Sequence, residues 1–164
     1  MITIRDERPG DAAAIAATVT AAFAAAPHAG GNEAEIVARL RAAGALRLSL
    51  VAEDAGLVGH LGASPASVGK LAGWMAIAPV SVAPAHQRRG VGTLLMRIAL
   101  DRLQAAGAPG AVLVGDPDWY ARFGFAARPG LTVQGVPAQY VLAVPFGSDT
   151  PRGEILFHPA FGLA

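Results

Sequence analysis

Between Trp74 and Val114 the chain passes from one apolar stretch, through a glycine-flanked helix, into a second apolar stretch, and this succession restricts the fold more than any other feature. From Gly90 to Ala106, Val91, Leu94, Leu95, Ile98, Ala99 and Leu103 recur at helical spacing, with Arg97, Asp101 and Arg102 opposite them. Gly107 and Pro109 stop this amphipathic helix. The runs Trp74 to Val82 before it and Ala111 to Val114 after it read as buried strands. Strands joined through a crossover helix run parallel, so the sheet contains a parallel pair.

The remaining elements read as mostly antiparallel. Ile2 and Ile4 alternate with Thr3 and Arg5 as a short first strand, broken by Pro9 and Gly10. Asp11 is placed to cap a helix whose buried stripe is Ile15, Val19 and Phe23, and Pro27 to Gly31 ends it. Asn32 or Glu33 opens a second helix with Ile36, Val37 and Leu40 inward and Gly44 as its left-handed stop. Leu48 to Glu53 and Leu57 to Ser64 flank the turn Glu53-Asp54-Ala55-Gly56 as a hairpin, and Ser67 to Gly73 reads as a looser connection. Trp119 to Phe123 predicts a short helix, and Leu131 to Val133, Tyr140 to Val144 and Glu154 to Phe157 predict further short strands. The expected fold class is α+β: a mixed, mostly antiparallel sheet of about six or seven strands with helices on both faces.

A chain of 164 residues fits one domain, expected to span 1–164. With no Cys there is no thiol nucleophile, disulfide frame or thiolate metal site, and no His or carboxylate spacing predicts a metal. His28, His86 and His158 are expected in loops. The hydrophobic fraction of 53% owes much to Ala, and no stretch reaches the ~18 to 20 apolar residues of a membrane helix. Met1 to Pro9 is unlike an export signal, so a cytoplasmic setting is expected. A net charge of +1 with scattered cations excludes nucleic acid and membrane surfaces as expected partners.

One segment carries chemistry. Val80-Ser81-Val82-Ala83-Pro84-Ala85-His86-Gln87-Arg88-Arg89-Gly90-Val91-Gly92-Thr93 lies between a strand and the strongest helix. A helix start presents unpaired N–H groups and partial positive charge, which suit a phosphate, and Gly90 and Gly92 let backbone approach it closely. A G-x-G pair alone is a weak signal that fits a shaped loop equally well. The segment lacks the G-x-x-x-x-G-K-[ST] of a nucleotide P-loop and the G-x-G-x-x-G of a dinucleotide fold.

The extended pattern resembles the signature of the GNAT superfamily of N-acetyltransferases, in its small stand-alone bacterial form. An apolar-x-Val strand end (Val80-Ser81-Val82), a link containing Pro84 and the run Gln87-Arg88-Arg89-Gly90-Val91-Gly92 match it. The element order and Trp119-Tyr120-Ala121-Arg122-Phe123-Gly124-Phe125 match as well. The resemblance implies acetyl-CoA as co-substrate and an amine of a small molecule or peptide as acceptor. Backbone groups of Val80 and Val82 would pair with the pantetheine arm and the acetyl carbonyl, and N–H groups from Gln87, Arg88, Arg89, Gly90, Val91, Gly92 and Thr93 would hold the pyrophosphate. The pantetheine amides would act as an added strand where the parallel strands splay, and Pro79, disfavoured inside a paired strand, fits such a gap.

The same resemblance places Tyr120 as the acid that protonates the departing thiolate; its bland alternative is aromatic packing with Trp119, Phe123 and Phe125. His60 is a candidate base, although a single strand histidine is more often packed and hydrogen-bonded. Glu33, Glu35 and Glu53 are the carboxylate options, the first two expected to face solvent at a helix start, and a water chain could replace them all. Asp116 is placed either to line the pantetheine slot or to cap the helix near Asp118, and capping is the expected role. The expected reaction is direct attack of the amine on the thioester without an acyl-enzyme. The alternative is a CoA- or acyl-CoA-binding module without turnover. The acceptor would be shaped by the first two helices, the Pro27 to Gly31 loop and the last strands, with polycationic acceptors disfavoured for want of a strongly acidic surface. The reading leaves room for a homodimer.

Overall fold

The computed structural model describes residues 1–24 and 30–162, so Pro27 and His28 of the expected first loop lie outside the described residues. The element order is β1 (Thr3–Asp6), α1 (Ala12–Phe23), α2 (Glu33–Ala42), β2 (Leu48–Glu53), β3 (Leu57–Val68), β4 (Leu71–Val82), α3 (Val91–Ala105), β5 (Gly110–Val114), α4 (Pro117–Tyr120), β6 (Leu131–Thr132), β7 (Val141–Pro145) and β8 (Gly153–Leu156). The main path of the sheet is β1-β2-β3-β4-β5-β7. Within it only β4 and β5 are parallel, as the crossover helix requires. β8 pairs with the far end of β3, and the two-residue β6 lies parallel to β8. The described residues thus contain eight strands, one above the expected range.

Alternation along β2 divides the core. Leu50 and Ala52 face α3, whose Val91, Leu95, Met96, Ala99 and Leu103 are buried against them. Val51 faces the other way, onto Ile15 and Val19 of α1 and Val37 of α2. Each large apolar side chain so enclosed contributes about 1.5 to 3 kcal/mol. The helices therefore cover both faces. Leu94, which the spacing puts on the apolar stripe, is 38% exposed, and Met96 takes the buried position instead.

Three local expectations are corrected. The connection Ser67 to Gly73 is a tight hairpin: β3 continues to Val68, β4 starts at Leu71, and Gly69 turns with φ +57°. Pro65 survives within β3 because β2 pairs no further than Ala63 and β8 begins only at Ser67, so its missing N–H faces an unpaired edge. Asp11 precedes α1 without capping it. Its carboxylate accepts from Arg5 Nη1 at 2.8 Å, Arg5 Nη2 at 3.1 Å and the Arg8 N–H at 2.6 Å, and the Arg5 guanidinium holds its pKa down at about 2. Among the carboxylate options, Glu35 is exposed and paired with Arg39 at 2.6 Å, but Glu33 is half-buried at the start of α2.

The parallel pair is short. β4 and β5 match only at Met75 with Ala111 and Ala76 with Val112, after which they part. On the other side of β4 the register with β3 jumps from Ala63–Ile77 to Leu61–Val80, so Ala78 and Pro79 together oppose Gly62. This is the bulge to which Pro79 pointed. No helix among the described residues is long and apolar enough to cross a membrane.

Candidate active site

The expected anion site falls at the start of α3. Arg88 and Gly90 adopt left-handed φ values of 63° and 80°, and the chain enters the helix directly after Gly90. Leu94 is the first residue to donate within α3, to the Gly90 carbonyl at 3.0 Å, and the N–H groups of the first turn have no acceptor within the helix. Gln87 Nε2 donates to the Val82 carbonyl at 3.0 Å and ties the loop back to β4. Gln87 lines a cavity of about 330 Å³ with Val82, His86, Arg88, Gly90, Val91, Gly92, Thr93, Trp119 and Arg122.

A second cavity of about 390 Å³ shares Val82, Gln87, Gly92 and Trp119 with the first and adds Val80, Asp116 and Tyr120. The two form one groove from the helix start to the parted strands. Nine of the residues expected at the site, Val80, Val82, Gln87, Arg88, Gly90, Val91, Gly92, Thr93 and Tyr120, line it. Arg89 is exposed and lines neither part. Gly92 is close-packed: a Cβ there would stand 3.3 Å from Trp119 Cζ2 and 3.8 Å from Val82 Cγ2.

Sequence reasoning gave Trp119 only a packing role beside Tyr120 and gave Arg122 none beyond the motif that contains it. The Trp119 ring floors both parts of the groove, and the Arg122 guanidinium sits 5.7 Å from its centroid at the anion end. Their i, i+3 spacing across the short helix was the available signal.

Tyr120 is held edge-on by Trp119 and Phe125, with ring centroids at 4.8 and 5.9 Å. Burial, reinforced by the nearby Asp116 carboxylate, pushes its phenol up to about 12, so it stays protonated across the neutral range. Asp116 Oδ1 accepts from the Asp118 N–H at 3.0 Å, which is the expected cap, while Asp116 also lines the groove. The residue is thus both the cap of the short helix and part of the groove wall.

A third cavity, of about 430 Å³, opens on the α1 and α2 side where β4 and β5 part. Ile77, Ala78 and Pro79 of β4 with Leu113 and Val114 of β5 form one wall; Val80, Val82 and Asp116, the next positions along the same two segments, belong to the groove. Glu33 lines this cavity, its Oε1 accepting from the Gly31 N–H at 3.4 Å and its Oε2 buried with no partner among the described residues.

His60 lies elsewhere. It is 0% exposed, and its Nε2 is 2.8 Å from Ser49 Oγ, which donates to Glu7 Oε1 at 2.8 Å. Arg41 grips Glu7 through two bonds of 2.9 and 2.8 Å. Because the Ser49 proton goes to Glu7, His60 Nε2 is the donor in its bond to Ser49. Burial pushes the imidazole down to about 4 and keeps it neutral. This is the packed, hydrogen-bonded histidine rather than a base open to a cavity.

A mixed sheet whose one parallel central pair splays beside a glycine-flanked helix start, with a protonated tyrosine in the same groove, defines an acetyltransferase of the GNAT class. Residues 3–128 match the family model described as Acetyltransferase (GNAT) domain, and the chain belongs to this family and is an N-acetyltransferase. It is 36% identical over 125 residues to the uncharacterized N-acetyltransferase YhbS of Escherichia coli K12, covering 74% of this chain and 72% of the relative. Among solved structures, a GNAT family acetyltransferase from Brucella melitensis in complex with acetyl-CoA is 44% identical, with TM-score 0.87 and 98% of both chains covered. YhbS from Escherichia coli in complex with CoA is 28% identical, with TM-score 0.89, covering 98% of this chain and 92% of that one.

Proposed function

We propose that this chain, as a single domain over residues 1–164, moves the acetyl group of acetyl-CoA directly onto a primary amine. The observation that carries the reading is the continuity of the groove: the α3 start, the free strand end at Val80 and Val82, and Tyr120 line one channel. N–H groups of the first turn of α3, with Gln87 and Arg88 before it, hold the pyrophosphate, and Arg122 adds charge beside them. Arg89 acts only through long-range attraction. Val80 and Val82 pair with the pantetheine arm as if it were a strand in the gap between β4 and β5.

The Val80 N–H stabilises the oxyanion as the amine nitrogen attacks the thioester carbon. The C–N bond forms, the C–S bond breaks, and Tyr120 gives its proton to the departing sulfur while the nitrogen sheds its extra proton. The products are an N-acetyl amine and CoA thiol. A module that only bound the cofactor would have no use for a protonated phenol at this place, which favours transfer over sensing. The cavity walled by Ile77 to Pro79 and by Leu113 and Val114 takes the acceptor, since it borders the same parted strands.

The test is release of free thiol from acetyl-CoA across a panel of amines, together with thermal denaturation. A ligand at 100 times its Kd stabilises the folded state by about 2.7 kcal/mol. The absence of both thermal stabilisation and calorimetric binding at saturating acetyl-CoA would refute the proposal.

A further inference from the structure

The acceptor cavity carries a chemical preference. Its walls are Phe23, Ile36, Val133, Val136, Phe157 and Phe161 in addition to the strand residues, and Glu33 is the one ionisable side chain among the described residues that line it. Asn32 and Gln134 are its other polar side chains, and both are neutral. Phe157 and Phe161 stand together with centroids 5.4 Å apart and rings tilted by 43°, an aromatic corner suited to a flat apolar group. At about 430 Å³ the cavity lies toward the small end of small-molecule sites, which run from roughly 300 to 1,000 Å³.

Glu33 Oε2 is buried with no partner among the described residues. A buried carboxylate oxygen without a donor is costly, and an ammonium group supplies both the missing donor and the opposite charge. Among the described residues, the rest of the wall offers an ammonium nothing comparable. A second cation on the same ligand would lose its water against Val, Ile and Phe without a counter-charge, a penalty that excludes polyamines more strongly than net charge alone does.

We infer that the acceptor is a small monocationic primary amine with an apolar, aryl- or alkyl-bearing body, anchored by Glu33 and packed against Phe157 and Phe161. This rests on the reading of the cavity as the acceptor site. Glu33 acts by drawing the ammonium form, the prevailing form near neutrality, to the cavity, where loss of one proton to the carboxylate or to water leaves the nucleophile.

The experiment measures binding and turnover separately. Calorimetry with the CoA-loaded protein uses 2-phenylethylamine, spermidine and glucosamine as probes, and thiol release from acetyl-CoA is followed with the same three. The expected result is binding and acetylation of 2-phenylethylamine, with the other two at least about tenfold weaker, a margin of about 1.4 kcal/mol. Glu33→Gln, close in shape, should raise the Kd and KM for 2-phenylethylamine about 10- to 100-fold and leave the KM for acetyl-CoA unchanged, and Glu33→Asp should recover part of the loss. Preference for spermidine or glucosamine, absence of binding by 2-phenylethylamine, or an unchanged KM in Glu33→Gln would overturn the inference. If 2-phenylethylamine binds wild type but not Glu33→Gln and no thiol appears, the acceptor class stands and the transfer reading fails. Thiol release with glucosamine alone would do the reverse.

Discussion

The ring of Tyr120 occupies the space that a side chain at position 115 would need: a Cβ on Gly115 would lie 3.0 Å from Tyr120 Cδ2 and would run into its Cε2. The absence of a Cβ at 115, directly after β5, is therefore what lets the phenol lean into the groove. Gly115→Ala should push the ring aside, costing about 1 to 3 kcal/mol of stability as other overpacked sites do. It should also lower kcat with little change in the Kd for acetyl-CoA, because the anion end of the groove lies at α3. Chemical denaturation and steady-state kinetics on the same variant check both halves. A variant with wild-type kcat would mean that the ring position is immaterial to the reaction.

Removing only the phenolic hydroxyl separates acid from packing. Tyr120→Phe keeps the edge-on contacts with Trp119 and Phe125. If Tyr120 protonates the thiolate, kcat should fall about 10²-fold or more, within the range for a positioned acid, while acetyl-CoA affinity changes less than about threefold. The pH profile carries a sign as well. Burial pushes the phenol up to about 12, so the acid remains protonated as pH rises through 8, 9 and 10. Activity should climb as the amine loses its proton and show no descending limb attributable to Tyr120 below about pH 11. A limb near pH 9 to 10 would assign the acid to another group or to solvent.

At the other end of the groove, size and charge can be told apart. A Cβ on Gly92 would meet Trp119 Cζ2 at 3.3 Å, tight but relieved by a small shift of the ring. Gly92→Ala should thus weaken acetyl-CoA only a few-fold. Gly92→Asp adds negative charge where the helix start would hold a pyrophosphate and should raise the Kd about 10²-fold, or about 2.7 kcal/mol. Equal effects from the two substitutions, measured by calorimetry, would place the phosphates elsewhere. Arg122→Ala should cost a few-fold in affinity and flatten the salt dependence, since the exposed guanidinium acts through a screened field.

These expectations differ in how far sequence could supply them. The strand, turn and helix from Trp74 to Val114 were legible because hydrophobic spacing and breakers act locally, and Pro79 flagged the bulge through its missing N–H. The tight β3–β4 hairpin was not, because whether Pro65 is tolerated depends on which strand lies beside it, a fact of topology. Asp11 has the composition of a cap, yet Arg5, six residues earlier, competes for its carboxylate with two bonds. Glu33 was misplaced for a similar reason. A helix-start glutamate is solvated by default, and only the return of residues 133–136 and 157–161 against α2 closes a cavity around it. Groove residues set by backbone pattern were readable, whereas those set by long-range packing were not.

Acid sensitivity follows from His60. Buried beside Ser49, it is pushed from 6.5 down to about 4 by desolvation. Below pH 6.5 the unfolded chain takes up a proton that the folded chain refuses, so stability falls as pH drops from 6.5 toward 4 and is constant, for this group, above 6.5. Between pH 7 and pH 5 the loss is about 2 kcal/mol. Glu7 has its pKa lowered below 4.5 chiefly by the Arg41 hydrogen bonds, so its contribution is lost only at lower pH, leaving 4.5 to 6.5 as the histidine's window. Urea unfolding at pH 7 and pH 5 should therefore show the wild-type drop. His60→Gln, which can still donate an N–H to Ser49 but cannot titrate, should keep less than about 0.5 kcal/mol of it. A wild-type stability that is level across this window, or an undiminished drop in the glutamine variant, would show that the imidazole reaches solvent as readily folded as unfolded.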